Sequence, residues 1–226
     1  MINMETENSA IGRKSEEEIT SEVVPSSLSK LSQEILGIDY IAEPEEVYKQ
    51  MCSDARKLGK KYEIPLCLDT NGDYRNWVES LIELVNCRGA KILYCNKDCL
   101  DKPYYYPGLS VISIPLIDLD NCTEWETFVW GCNLSHELVH NMQNMQTRLA
   151  ANIPIDKIPI ELWEYEAFVV SSLPVAVNHA MAKVSQWEKW ERRVAVEYIF
   201  NAIEKSSREY YEKIGVSSDQ ISWMRG

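Results

Sequence analysis

Long apolar runs are missing from this chain. A helix that crosses a membrane needs about twenty consecutive apolar residues, and the most apolar stretch of the 226-residue sequence, 167–177, is interrupted by Ser171, Ser172 and Pro174. Residues 1–18 also lack the apolar segment of a secretory signal. We therefore expect a protein that has no membrane partner and stays in the cytoplasm.

The chain also lacks an even, regularly spaced set of cysteines. It has seven, scattered along the sequence, and without a secretory signal they predict reduced thiols, not a disulfide framework. Cys95 and Cys99 could supply two of the four ligands of a structural zinc site, but no second pair lies near them in the sequence. We therefore do not expect structural zinc at these two cysteines.

Positive charge is scarce. The formal net charge is −12, and the one basic cluster, 189–193, contains Glu191 and directly follows Glu188. A protein that binds duplex nucleic acid needs a basic face that contacts the phosphates. The sequence therefore argues against direct binding to nucleic acid.

Enough apolar sequence is present for a core, at 45% of the residues. Residues 1–28 are polar, acidic and rich in serine, which predicts a flexible tail, and residues 29–226 have the length of a single domain. A few strands followed by helices predict an α+β fold, with a small mixed or antiparallel sheet packed on a helical core and a helix-rich C-terminal part. Helices are predicted at 44–59, 77–87, 123–145, 159–173 and over most of 175–213, and strands at 91–95 and 109–116.

Histidine is rare as well, and two of the three histidines form one motif. His136, Glu137 and His140 spell H-E-x-x-H inside the helix predicted at 123–145, which Thr123 can begin as its N-cap. Residues four apart share a helix face, so both imidazoles can bind one metal ion. On a helical wheel the histidines share an arc that we expect to face the core, together with Trp125, Val129, Cys132, Val139 and Gln143.

The glutamate of the motif has a role of its own. Glu137 lies about 100° around the helix from His136, where its carboxylate can contact a zinc-bound water without binding the metal. A zinc ion lowers the pKa of its water toward about 7. The motif therefore predicts one catalytic Zn²⁺ with Glu137 as general base.

A catalytic zinc usually takes three ligands from the protein and leaves one position for water. No histidine follows His140 at the spacing of the metzincins, so a third histidine ligand of that kind is excluded. The next predicted helix offers Glu161, Glu164 and Glu166, and their positions alone do not decide between them. Glu166 lies among aliphatic residues, Glu164 shares its face with small ones, and Glu161 can serve as a favourable charge at the helix start.

Two short segments resemble ImmA/IrrE-type metallopeptidases. Residues 164–171, with Glu164-x-Glu166-Ala167 followed by Val170-Ser171, are similar to the E-x-E-A-x-x-F-A segment of that family, and residues 133–141 are similar to its zinc helix. The resemblance implies a zincin-like core at about 45–175 with a helical extension at 176–226. It also implies that the third ligand is the glutamate three residues before the alanine, Glu164, whereas a thermolysin-like pattern selects Glu166.

The function that follows is a zinc metallopeptidase of the gluzincin type. The resemblance implies a specific intracellular protein substrate such as a regulator, and the alternative is a zinc-binding interaction or regulatory protein without catalysis. Candidates for stabilising the oxyanion are His179, Tyr165 and the run 104–106. Strand 111–114 either binds the substrate by β-addition or is an ordinary paired strand. No oligomeric state follows from the sequence.

Overall fold

The protein has an α+β fold, as the sequence predicts. The expectations for the tail at 1–28, for Cys99 and for His179 lie outside the described residues. The computed structural model describes residues 33–34, 36–39, 42–96, 103–106, 109–149, 160–171, 173–175, 178 and 189–213.

Helices make up most of the described chain, and the longest of them packs between two others. The third helix packs against the second and the fourth, and the fourth also contacts the first and the fifth. None of the helices in the described ranges is long and apolar enough to cross a membrane. The helices are α1 (Pro44–Tyr62), α2 (Tyr74–Cys87), α3 (Glu124–Leu149), α4 (Ile160–Ser171) and α5 (Lys189–Lys213), with a short 3-10 helix (Cys67–Asp69) after α1.

Three strands form a mixed sheet: β1 (Lys91–Cys95), β2 (Tyr104–Tyr106) and β3 (Val111–Pro115). β3 lies in the centre, parallel to β1 and antiparallel to β2. The predictions for β1 and β3 are confirmed, whereas the short strand β2 was not predicted. Because β3 is paired on both sides, the interpretation that it binds a peptide by β-addition is wrong, and it is an ordinary paired strand.

The start of α3 is fixed by a reciprocal capping box. The backbone N–H of Glu126 donates to Thr123 Oγ1 over 3.2 Å, and the backbone N–H of Thr123 donates to Glu126 Oε2 over 2.8 Å. Both bonds satisfy amide groups that have no partner inside the helix. The prediction that Thr123 caps this helix is confirmed, and the cap fixes where α3 begins.

The first turns of α3 do not face the core in the way that the helical wheel predicts. Trp125 is 66% exposed and Val129 is 38% exposed, so the expectation that they lie in the core is wrong. The buried side of these turns carries Phe128 and Gly131, because α2 packs there. A Cβ atom on Gly131 would lie 2.5 Å from the Trp77 ring, which shows how closely the two helices approach.

Candidate metal centre

Two helices bring three potential metal ligands together in a partly buried position. His136 and His140 lie one turn apart on α3, and their Nε2 atoms are 3.1 Å from each other. Glu164 of α4 places Oε2 3.4 Å from His136 Nε2 and Oε1 3.5 Å from His140 Nε2. The ligand atoms of all three residues lie within 4.8 Å of one another, so this buried His-His-Glu group can hold a metal ion.

The spacing of these atoms fits a small tetrahedral cation. Zinc binds histidine nitrogen and carboxylate oxygen at about 2.0–2.2 Å, so two ligands at tetrahedral corners are roughly 3.3 Å apart. The two histidine nitrogens, 3.1 Å apart, are close to that separation, and each has one oxygen of the Glu164 carboxylate at a similar distance: Oε2 lies 3.4 Å from His136 Nε2, and Oε1 lies 3.5 Å from His140 Nε2. Two imidazoles and one carboxylate are also a donor set that zinc accepts readily.

The ring of His140 is oriented by an amide side chain of its own helix. His140 Nδ1 lies 2.8 Å from Gln143 Oε1, and since the amide oxygen can only accept, Nδ1 carries the proton of this bond. The neutral ring then has its lone pair on Nε2, the atom that faces Glu164. Such a partner on the second nitrogen is typical of histidines that bind metal.

Gln143 and Glu166 form an outer layer of side chains around the three candidate ligands, and Glu166 does not approach the histidines. Its Oε2 accepts a hydrogen bond from Gln143 Nε2 over 2.9 Å and a second one from the Tyr62 hydroxyl, and Lys61 Nζ lies 3.4 Å from its Oε1. Its carboxylate is therefore held by α1 and by Gln143. Of the two glutamates that the sequence leaves as third ligand, the structure brings Glu164 to the histidines.

Negative charge surrounds His136. Its pKa is raised above the ordinary value: burial by itself lowers the pKa, but the hydrogen bond and charge of Glu164, together with the charge of Glu137, outweigh burial. The edge of the ring contacts Phe168, with the ring centroids 4.7 Å apart. The carboxylates that favour a proton on His136 equally favour a metal cation beside it.

Glu137 lies in the same cleft as the three ligands and is 8% exposed. Tyr104 of β2 lines the same cleft. The pKa of Tyr104 is raised first by burial and then by the negative charge of Glu137. The predicted general base is therefore close to the ligand cluster without being part of it.

The cleft has a volume of about 300 Å³ and its walls come from β2, α3, α4 and α5. The sequence did not predict the contributions of Asn144, Trp163 or α5. Ser206, Glu209 and Tyr210 have the spacing of one helix face, but nothing in the sequence indicates that this face meets the histidines. The cleft is lined by Pro103, Tyr104, Tyr105, His136, Glu137, His140, Asn144, Ile160, Trp163, Glu164, Ser206, Glu209 and Tyr210.

The candidates for stabilising an oxyanion lie in different places. Tyr165 is buried, and its hydroxyl donates to Asp54 Oδ2 over 3.1 Å on the α1 side, away from the cleft. Tyr104 and Tyr105 line the cleft, although the Tyr105 hydroxyl already accepts a hydrogen bond from Asn144 over 3.0 Å. Tyr106, at the end of β2, is 40% exposed.

Glu161, the remaining glutamate of α4, is fully buried outside the cleft. Neither of its carboxylate oxygens has a hydrogen-bond partner among the described residues. Burial, and to a smaller extent the charge of Glu164, raises its pKa to about 7. An unpartnered buried carboxylate is favoured in its neutral form, so Glu161 differs chemically from the candidate ligand Glu164, which lies three residues later.

No protein-family model, curated protein sequence or solved structure gives a significant match to this chain. The resemblance of segments 133–141 and 164–171 to ImmA/IrrE-type metallopeptidases therefore stays a prediction. Any functional conclusion has to be based on the geometry of the cleft.

Proposed function

We propose that this protein is a zinc metallopeptidase that hydrolyses peptide bonds in a specific protein of the cytoplasm. The observation that carries the proposal is the convergence of His136, His140 and Glu164 on one point, with Glu137 in the same cleft. A zinc-binding protein without catalysis would need the three ligands but would have no use for a glutamate beside them. The position of Glu137 therefore favours the enzyme.

The proposed mechanism divides the work between the ligands and Glu137. Bound zinc would supply Lewis acidity, polarising the scissile carbonyl and acidifying the attacking water. Glu137 takes a proton from that water as it attacks, and then delivers the proton to the leaving amine. Gln143 keeps His140 in the tautomer that presents Nε2 to the site.

A polypeptide substrate has a sheet edge to bind to. β2 lines the cleft and is paired to β3 on one side, while its other side has no strand partner among the described residues. An extended peptide can add to such an edge through main-chain hydrogen bonds. We propose that the substrate lies along Tyr104–Tyr106, in place of the strand 111–114 that the sequence suggested.

The ligand assignment is tested by the zinc content of purified protein. Wild type is expected to contain one zinc, which Glu164→Gln loses, because an amide is a much weaker zinc ligand than a carboxylate. Glu166→Gln is the matched control on the same helix, and it should keep the zinc with an affinity lower by no more than about 10–100-fold, as for an outer-layer residue. Zinc lost from Glu166→Gln and kept in Glu164→Gln would overturn the assignment.

Catalysis is tested separately with Glu137→Gln and unfolded casein as substrate. The variant should keep its zinc and lose about 10²–10⁴-fold in cleavage rate, the usual contribution of a general base. Undiminished cleavage by Glu137→Gln would refute the mechanism. Stoichiometric zinc in a wild-type protein that cleaves neither casein nor any protein in a cytosolic extract would favour the non-catalytic alternative.

A further inference from the structure

The C-terminal helix α5 contributes a tyrosine to the cleft that contains the metal ligands. Tyr210 is half-buried and lines the same cavity as His136, Glu137 and Glu164. Its neighbour Tyr211 is not among the lining residues, and its environment is the start of α4, where the charge of Glu161 raises its pKa after burial. The two adjacent tyrosines of α5 therefore face different surroundings.

Tyr210 lies in the cleft close to Tyr104 of β2 and to Glu164 of α4. The pKa of Tyr210 is raised first by burial and then by the proximity of Tyr104 and Glu164. Glu137 also acts electrostatically on Tyr104. Tyr210, Tyr104, Glu137 and the candidate ligand Glu164 therefore surround the same space in the cleft.

Two other tyrosine hydroxyl groups near the site have hydrogen-bond partners. The Tyr105 hydroxyl accepts from Asn144, and the Tyr165 hydroxyl donates to Asp54 on the far side of α4. A phenol whose pKa lies above its ordinary value keeps its proton at neutral pH and can act as a hydrogen-bond donor. Tyr210 has this property and lines the cleft, as does Tyr104.

Resting on the proposed peptidase function, we propose that Tyr210 is a catalytic residue whose hydroxyl donates a hydrogen bond to the scissile carbonyl oxygen as negative charge develops on it. Water attacks the carbonyl carbon from the side of Glu137, so the oxygen that gains the charge is displaced away from this base. A hydroxyl donor that lines the cleft and reaches this oxygen stabilises the charge more in the transition state than in the bound substrate, which is the condition for raising kcat.

The test compares Tyr210→Phe with Tyr211→Phe in the full-length, zinc-loaded protein. Each variant loses one hydroxyl from the same helix. The measurements are kcat and KM on a casein-derived peptide that wild type cleaves, the zinc affinity, and binding of a phosphinic peptide of the same sequence. The tetrahedral phosphinate carries the negatively charged oxygen that the proposal assigns to Tyr210.

Tyr210→Phe should lower kcat by about 10²–10³-fold, as for loss of one oxyanion donor, with KM and zinc affinity unchanged. Binding of the phosphinic peptide should weaken by a similar factor, while Tyr211→Phe behaves as wild type. Wild-type kcat in Tyr210→Phe would overturn the proposal. A loss that excess zinc restores would also overturn it, because Tyr210 would then only support the ligand Glu164.

The two proposals fail in different ways. If wild type cleaves the peptide and binds the phosphinate but Tyr210→Phe does both equally well, only the role of Tyr210 is refuted. If wild type contains no zinc and does not bind the phosphinate, the peptidase proposal itself is refuted. A large kcat loss in Tyr104→Phe together with none in Tyr210→Phe would transfer the role to the tyrosine on β2.

Discussion

At Gln143, one amide side chain connects the inner and outer layers of the site. Its oxygen lies 2.8 Å from His140 Nδ1, and its nitrogen donates to Glu166 and to the backbone oxygen of Trp163. The amide can serve both layers because it has an acceptor at one terminal atom and two donors at the other. The ring of His140 is therefore positioned indirectly by α4 and, through Glu166, by α1.

The raised pKa of Glu161 predicts how the stability of the protein depends on pH. The pKa of Glu161 is about 7 in the folded protein, compared with an ordinary value of 4.5. Because the pKa of Glu161 is raised, the folded state binds the proton of this carboxyl group more tightly than the unfolded state does. Protonated Glu161 therefore contributes to stability below pH 4.5, and this contribution is lost as the pH rises from 4.5 to 7. At roughly 1.4 kcal/mol per tenfold change, the loss is about 3 kcal/mol.

Replacing Glu161 with glutamine should remove this pH dependence. In metal-free protein, Glu161→Gln is expected to raise the free energy of unfolding by up to about 3 kcal/mol at pH 8 and to change it little near pH 4.5, because glutamine resembles the protonated acid in shape. Urea denaturation at both pH values measures the difference. The same substitution at the exposed Glu83 controls for the loss of one charge. Equal effects of Glu161→Gln at both pH values would contradict the expectation.

At the scale of the elements, the placement of α3 is set by its cap and by a glycine. The capping box at Thr123 fixes where the helix begins, and Gly131 allows α2 to approach it closely. The Trp77 ring at this contact cannot easily move away, because its Nε1 donates to the backbone oxygen of Pro65 over 2.9 Å. Gly131 lies just over one turn before His136, so this contact also positions the candidate metal ligands of α3.

A methyl group at position 131 should separate α2 from α3. Alanine normally stabilises a helix relative to glycine by about 0.5–1 kcal/mol, but overpacking against a fixed ring costs about 1–3 kcal/mol. Gly131→Ala is therefore expected to lower the free energy of unfolding, as measured by urea denaturation. In a Trp77→Leu background the same change should cost less. An equal cost in both backgrounds would show that the Trp77 contact is not the cause.

At the scale of the whole molecule, the site unites parts that are far apart in the sequence. His140 and Glu164 come from different helices, and the cleft is closed by β2 and α5. The unfolded chain does not hold these groups together, so a metal ion that binds them stabilises only the folded state. Metal binding and global stability are therefore coupled.

Zinc should raise the thermal unfolding midpoint. Free zinc at 100 times its dissociation constant stabilises the folded state by about 2.7 kcal/mol, which calorimetry or circular dichroism detects as a higher Tm. A chelator should reverse the shift, and His140→Ala should show no shift, because one of the three ligands is gone. A zinc-dependent rise of equal size in His140→Ala would place the bound metal somewhere else.

Local patterns were sufficient for much of this protein. Periodicity and β-branched residues predicted the α+β class, β1, β3 and the cap at Thr123, because these depend on neighbours within a few residues. The spacing of His136, Glu137 and His140 predicted that both imidazoles reach one point, since a helix repeat alone places them there. The seven scattered cysteines argue against a disulfide framework, and the net charge of −12 argues against nucleic-acid binding, but neither indicates where the functional site lies.

Tertiary packing decided the rest. Glu164 and Glu166 are two residues apart on one helix, and only the arrangement of α1, α3 and α4 directs one to the histidines and the other to Tyr62. Trp125 is exposed because α2 packs against the face of α3 that carries Phe128 and Gly131, and Tyr210 lines the cleft because α5 packs on α4. By itself, the sequence determined which residues share a helix face. Which face meets which neighbour depends on contacts between distant segments, and no local pattern encodes them.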